Sequence, residues 1–114
     1  TEIKINDNGY GGLTIWYQDD NHWVNVLMYP AASLIRVLED GDTVMGTTYT
    51  YSSSQHTWYD FKVVADAITG NLDLYINDEY VLTHTVSTSV RSGLSGVNNG
   101  NAGSYFDNFY LTQN

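Results

Sequence analysis

Apolar residues recur at every second position along most of this chain, and no stretch carries a convincing 3.6-residue period. Ile3 and Ile5 alternate with Glu2 and Lys4, and Leu13, Ile15 and Tyr17 with Thr14, Trp16 and Gln18. Val24, Val26 and Met28 fall on one side of the run Trp23–Tyr29, and Leu72, Leu74 and Ile76 on one side of Asn71–Ile76. Successive side chains of an extended strand point to opposite faces, so this pattern describes half-buried strands and excludes amphipathic helices. Further runs lie at Ile35–Leu38, Trp58–Asp66, Tyr80–Thr85 and Ser104–Thr112. Between them stand Asn8-Gly9, Asp40-Gly41, Thr69-Gly70-Asn71 and Asn77-Asp78-Glu79, residues that accept positive φ or bond their own backbone and so reverse the chain tightly. Leu72–Ile76 and Tyr80–Leu82 read as a hairpin. Pro30-Ala31-Ala32 is too short for more than a turn, Thr47–Ser54 reads as a strand running into a loop, and Asn98–Gly103 as a flexible turn. The expected fold is all-β: about nine to ten short antiparallel strands in a sandwich or jelly roll.

Composition narrows the class. The chain has 114 residues, the size of one domain spanning 1–114, and its 42% apolar and 14% aromatic content excludes intrinsic disorder. Its formal charge is −9, with only Lys4, Arg36, Lys62 and Arg91 basic. Four scattered cations cannot neutralise a phosphate backbone, so nucleic acid is excluded as a partner, and anionic membranes are disfavoured for the same reason. No apolar run is long enough to span a bilayer. There is no cysteine, which removes disulfides, thiolate metal sites and thiol nucleophiles. A start at Thr1 rather than Met leads us to expect a processed product or an excerpt.

Catalytic constellations are lacking. His22, His56 and His84 have no metal-ligand spacing, and no G-x-S-x-G elbow is present. Gly9-Tyr10-Gly11-Gly12 has neither the helix nor the Lys of a phosphate-cradling loop. Asp19 and Asp20 are adjacent, so on a strand they face opposite ways.

The order of several motifs resembles the concanavalin A-like (laminin-G-like) jelly rolls. Gly12-Leu13-Thr14-Ile15-Trp16-Tyr17-Gln18-Asp19-Asp20-Asn21-His22-Trp23 resembles their first strand pair, and Trp58-Tyr59-Asp60-Phe61-Lys62-Val63 their "W-h-x-h-K-V" strand. Gly70–Asn77 resembles the hairpin that follows, Gly93-Leu94-Ser95-Gly96 a "G-x-h-G-L" turn, and Phe106-Asp107-Asn108-Phe109 the closing "F-D-N-h". Together they cover about Tyr10 to Leu111. The departures are Trp16 where many relatives carry Arg, and Asp78-Glu79 in place of Asp-Gly. The leading hairpin that would pair with the last strand is also missing, so the resemblance implies an unpaired sheet edge beside Tyr105–Leu111. A short variant, a fragment, or a neighbour supplying a strand each accounts for that edge. The glucanases of this fold carry an "E-x-D-x-x-E" strand; Glu2, Glu39 and Glu79 do not have that spacing, so no enzyme is expected.

Binding chemistry fits the composition better. Sugar recognition needs aromatic rings, with amides and carboxylates to read hydroxyls. Period two turns Trp16, Trp23, Asn25 and Arg36 outward on neighbouring strands, a patch bordered by Tyr49 and Tyr51. The same residues suit an assembly interface or ordinary cross-strand packing, and all three readings stand. Trp58, opening a long strand, is expected to be structural. Asp19, Asp20, Asp107 and Asn108 offer hard oxygen ligands for Ca2+, against the plainer reading of turn capping; Asp107 is the one the resemblance points to. The expected function is a non-catalytic, lectin-like carbohydrate-binding or adhesion domain at an extracellular or particle surface. The alternative is a structural domain of a surface filament, phage or virus particle, with a protein neighbour completing the sheet and a larger assembly as its form.

Overall fold

Ten strands form among residues 1–41, 46–100 and 104–111, the part of the chain described by the computed structural model. They are β1 (Glu2–Ile5), β2 (Tyr10–Asp19), β3 (His22–Tyr29), β4 (Leu34–Glu39), β5 (Thr47–Thr50), β6 (Trp58–Ala65), β7 (Asn71–Ile76), β8 (Glu79–Thr85), β9 (Leu94–Gly100) and β10 (Ser104–Asp107). Each pairs antiparallel with its neighbours in two five-stranded sheets. The first has the order β10-β1-β6-β7-β8 and the second β5-β4-β3-β2-β9. This is the β-sandwich that the period-two pattern predicts.

The alternation sets the core. Ile3, Ile5, Phe61, Leu72, Leu74 and Ile76 of the first sheet meet Leu13, Ile15, Val24, Val26, Met28, Ile35 and Val37 of the second. Ile3, Phe61, Val24, Met28 and Ile35 are wholly inaccessible to solvent. Each such side chain contributes about 1.5–3 kcal/mol by leaving water, so these rows decide which face of every strand turns in.

Turn chemistry decides where strands reverse. Asn77 and Asp78 join β7 to β8 with φ of 53° and 64°, a two-residue reversal that Asn and Asp tolerate. Glu79 is already in β8. Pro30–Ala32 forms one 3₁₀ turn, closed by Ser33 in the left-handed region.

Four expectations are corrected. Trp16 does not face outward: it lies at a bulge with φ of 53°, where pairing to both β3 and β9 slips, and it is 9% exposed within the core. An extra residue on one strand reverses the alternation beyond it, so Tyr17 turns out instead. Trp58 is not a core residue. Phe61 takes the inward side of β6, and Trp58 stands 46% exposed on the outer face. Asn98–Gly100 are strand rather than turn, and 101–103 lie outside the described residues. The last strand stops at Asp107, because Asn108 takes φ of 54°; Thr112 lies outside the described residues. Among the described residues no helix is long and apolar enough to cross a membrane.

Candidate functional site

The outer faces of the two sheets differ. On β6 of the first sheet, the outward Trp58, Asp60, Lys62 and Val64 are all exposed. On the second sheet, Leu27 and Leu38 alternate outward, away from the core rows, yet are only 2% and 5% exposed. Their neighbours Tyr10, Thr14, Asn25, Tyr29, Arg36 and Asn98 are all half-buried. Outward residues this covered mark a crowded polar and aromatic surface, not a freely solvated one.

Register orders this surface. Asn98, Gly12, Leu27, Arg36 and Thr48 form one row across β9, β2, β3, β4 and β5. Gly96, Thr14, Asn25 and Leu38 form the next. A Cβ at Gly12 would lie 1.9 Å from the Val26 carbonyl oxygen, so this position between Tyr10 and Thr14 stays bare. Gly100 lies against the Tyr10 ring, which its Cβ would meet at 2.2 Å. Tyr10 in turn stacks on Tyr29 with ring centroids 4.8 Å apart, and the Arg36 guanidinium lies 5.1 Å from the Tyr29 ring. The result is a pile of Gly100, Tyr10, Tyr29 and Arg36 that crosses four strands. Burial raises the Tyr29 phenol above its ordinary value, partly offset by Arg36. Tyr29 therefore stays a neutral hydroxyl, able to donate and accept.

An amide chain runs beside the pile. Asn98 Nδ2 donates to Thr14 Oγ1 at 3.1 Å, and Thr14 Oγ1 donates to Asn25 Oδ1 at 2.6 Å. These bonds fix the Asn25 carbonyl and the Asn98 amino group while using neither the Asn25 amino group nor the Asn98 carbonyl. Trp23, at one end of the same face, donates its indole N–H to the Asp20 carbonyl at 3.0 Å. The Arg36 Nε is buried and makes no hydrogen bond. The face thus presents phenols, amides and a guanidinium at fixed positions, chemistry that reads a polyhydroxylated ligand and has no nucleophile–base pair.

Of the six residues expected to form the patch, three share this face: Trp23, Asn25 and Arg36. Trp16 is in the core. Tyr49 and Tyr51 pack against the core instead of bordering the patch. Tyr49 pairs with the inward Ile35, so it points between the sheets, where its Oη–H donates to His84 Nδ1 at 2.8 Å. His84, 7% exposed on β8, then donates Nε2–H to Glu39 Oε2 at 3.1 Å. Glu39 Oε1 accepts from the Ser87 and Thr88 backbone N–H groups at 2.9 and 3.1 Å. Burial pushes the Glu39 carboxyl up, but the bonds from His84, Thr88 and Ser87 outweigh it and hold it below its ordinary value. This network clamps one sheet to the other. Its sequence signal was a polar residue at an inward position: His84 sits between Leu82 and Val86, and Glu39 two beyond Val37. Tyr10, Thr14, Tyr29 and Asn98 were missed because Tyr, Thr and Asn are ordinary strand and turn residues until register groups them.

The four expected calcium ligands fall in two places. Asp19 ends β2 and Asp20 begins the β2–β3 turn, while Asp107 and Asn108 lie at the end of β10 in the other sheet. Asp19 Oδ1 accepts from the Asn21 N–H and from His22 Nδ1, both at 2.8 Å, which lowers its carboxyl. Asp20 accepts from Tyr17 Oη at 3.1 Å, Asp107 from the Asn108 N–H at 2.8 Å, and Asn108 donates to Glu2 at 3.0 Å. These are turn and strand-end bonds, and no group of three or more metal-ligating side chains gathers among the described residues.

The edges form a second feature. β9 and β10 end their sheets on the same side of the sandwich. Leu94, Val97, Tyr105, Phe109, Tyr110 and Leu111 are all exposed there, more than half of the exposed large apolar side chains described. Val97 pairs with the inward Leu13 yet is 43% exposed, so the sandwich is open at this side. A depression of about 500 Å³ lies nearby, lined by Thr1, Glu2, Asp60, Asn108, Phe109 and Tyr110. The resemblance implies a last strand without its N-terminal partner, but β1 pairs antiparallel with β10; among the described residues no strand covers the other side of β10.

No known family model matches the chain. No curated protein matches it either. Among solved structures it is similar to the carbohydrate-binding module CBM66 from Bacillus subtilis, with a TM-score of 0.72 and 20% sequence identity over 87% of this chain. The chain spans 63% of that protein's length. At this identity the likeness is one of fold.

Proposed function

We propose that this chain is a non-catalytic carbohydrate-binding module of the concanavalin A-like kind, acting at an extracellular or particle surface. The observation that carries this reading is the half-buried row on the outer face of the second sheet. Sugars are recognised by side chains that exchange hydrogen bonds with several hydroxyls at once, held so that little entropy is lost on binding. The Tyr10–Tyr29 pile and the Asn98–Thr14–Asn25 chain hold their donors and acceptors in that way. The similar fold belongs to a protein named a carbohydrate-binding module, which supports the reading. Catalysis has no comparable support, because Glu2, Glu39 and Glu79 lie on three different strands and Glu39 is held in the inter-sheet network.

The test is titration calorimetry against a panel of soluble oligosaccharides, with Tyr29→Ala and Asn25→Ala as variants. Binding by the parent, with a loss of at least about tenfold in each variant at an unchanged fold, is the expected result. A parent that binds nothing on the panel removes the reading.

A second reading, assembly, is favoured by the open β9/β10 side. Exposed apolar edges invite another chain to continue the sheets. In that reading the domain is a structural unit, and its test belongs to the whole molecule.

A further inference from the structure

We propose that Arg36 makes the outer face of the second sheet selective for sugars that bear a carboxylate, namely uronic acids. The inference rests on the carbohydrate reading above and names the ligand class for the same face. The chain has 13 carboxylate residues and four cations, and none of Lys4, Arg36, Lys62 and Arg91 makes an ion pair among the described residues. Arg91 is committed to structure: its Nε donates to the Thr88 carbonyl and Nη1 to the Ile68 carbonyl, each at 3.0 Å. Lys4 and Lys62 stand on the outer face of the first sheet, over the Trp58, Tyr105 and Tyr75 rings. Arg36 alone occupies the face with the amide chain. Among the described residues no carboxylate lies within ion-pair distance of it.

The Arg36 side chain is fixed on this face. Its guanidinium is held against the Tyr29 ring, its stem is half-buried, and its Nε–H is buried without a hydrogen bond. The guanidinium fork matches a carboxylate with two parallel bonds, roughly twice as strong as bonds between neutral groups. Gly12 lies in the same register row, with only Leu27 between. The charge of −9 opposes an anion at long range, but salt screens it beyond about 8 Å at physiological ionic strength. Contact with Arg36 is inside that distance, and repulsion elsewhere confines an acidic sugar to this spot.

The experiment compares oligogalacturonides with neutral galacto-oligosaccharides of equal length, by calorimetry on the whole chain. The acidic ligands are expected to bind about tenfold tighter or better, and to weaken as salt rises. Arg36→Gln is expected to erase the ratio of acidic to neutral affinity, and Arg36→Lys to keep the charge but lose most of that ratio. Thermal melts of both variants separate a lost contact from a lost fold; should Arg36→Gln not fold, the Arg36→Lys comparison decides. Equal binding of acidic and neutral sugars overturns the role of Arg36 and leaves the carbohydrate reading standing. No binding of either kind, across the wider panel as well, removes both.

Discussion

At the residue scale, the clearest lesson is Trp16. Alternation placed it outside beside Trp23, where a ligand contact was the natural expectation. The bulge in β2, one residue against β9 and two against β3, turned it in, and it now closes the core next to Ile15. Trp16→Ala is therefore expected to cost about 3–5 kcal/mol of stability, read from urea unfolding, the loss typical of a large buried aromatic. A ligand-face tryptophan on the surface would cost less than about 0.5 kcal/mol and would change binding instead. The bulge was not legible because it is a property of two pairings at once, β2 with β3 and β2 with β9, and no local residue preference announces it. Trp23, Asn25 and Arg36 were legible. They sit on uninterrupted alternation, where the buried Val24, Val26, Ile35 and Val37 leave their neighbours only the other face.

At the scale of elements, strands were legible and their ends less so. Rows of β-branched and aromatic residues set where β2, β3, β6 and β7 run, since burial of one face outweighs any local preference. The ends follow smaller terms. β10 ends where Asn108 enters the left-handed region, and β9 continues through Asn98–Gly100 because β2 offers it a full ladder. The β7–β8 hairpin shows the same economy. Asn77 and Asp78 both hold positive φ, and Asp is the less suited of the two to the second position, where Gly is preferred. Asp78→Gly is expected to stabilise the chain by up to about 1 kcal/mol and to raise its midpoint by a few degrees in a thermal melt. An unchanged or lowered midpoint would show that the turn carries no such strain. The two sheets are joined more conditionally, through Glu39, His84 and Tyr49. The Glu39 carboxyl is held below its ordinary value of 4.5, so its ionised form is the one the folded state favours. The stability this contributes is present above about pH 4.5 and drains away as the pH falls through the lower folded value. Glu39→Gln is expected to be less stable at pH 7 and to lose less on acidification than the parent, in denaturant titrations from pH 7 to 3. Parallel losses in the two proteins would remove Glu39 from the acid response.

At the scale of the whole molecule, the four sheet edges are unlike. β5 ends the second sheet with Thr47, Thr48 and Thr50 exposed, and β8 ends the first with Glu79, Tyr80, Thr83 and Thr85 exposed, a mostly polar finish that discourages further pairing. β9 and β10 end the sheets on the opposite side with Leu94, Val97 and Tyr105 exposed. Unguarded edges of both sheets on one side let a second copy extend both sheets at once, and Phe109, Tyr110 and Leu111 add apolar area to that contact. Charge works the other way: each chain carries −9, and like charges repel across the new interface. Salt shortens the reach of that repulsion from about 10 Å at 0.1 M to about 3 Å at 1 M, while leaving apolar burial in place. If the β9/β10 side is an assembly surface between copies, the mass by light scattering exceeds one chain and grows with both protein concentration and salt. Val97→Lys with Tyr105→Lys then returns it to a single chain, because edge lysines must be desolvated for any strand to pair there. A single-chain mass up to high concentration and 1 M salt sinks assembly between copies. A mass that grows with salt and does not respond to the paired substitution places the contact on another surface, and the aromatic outer face of the first sheet, with Trp58 and Tyr80, is then the one to mutate.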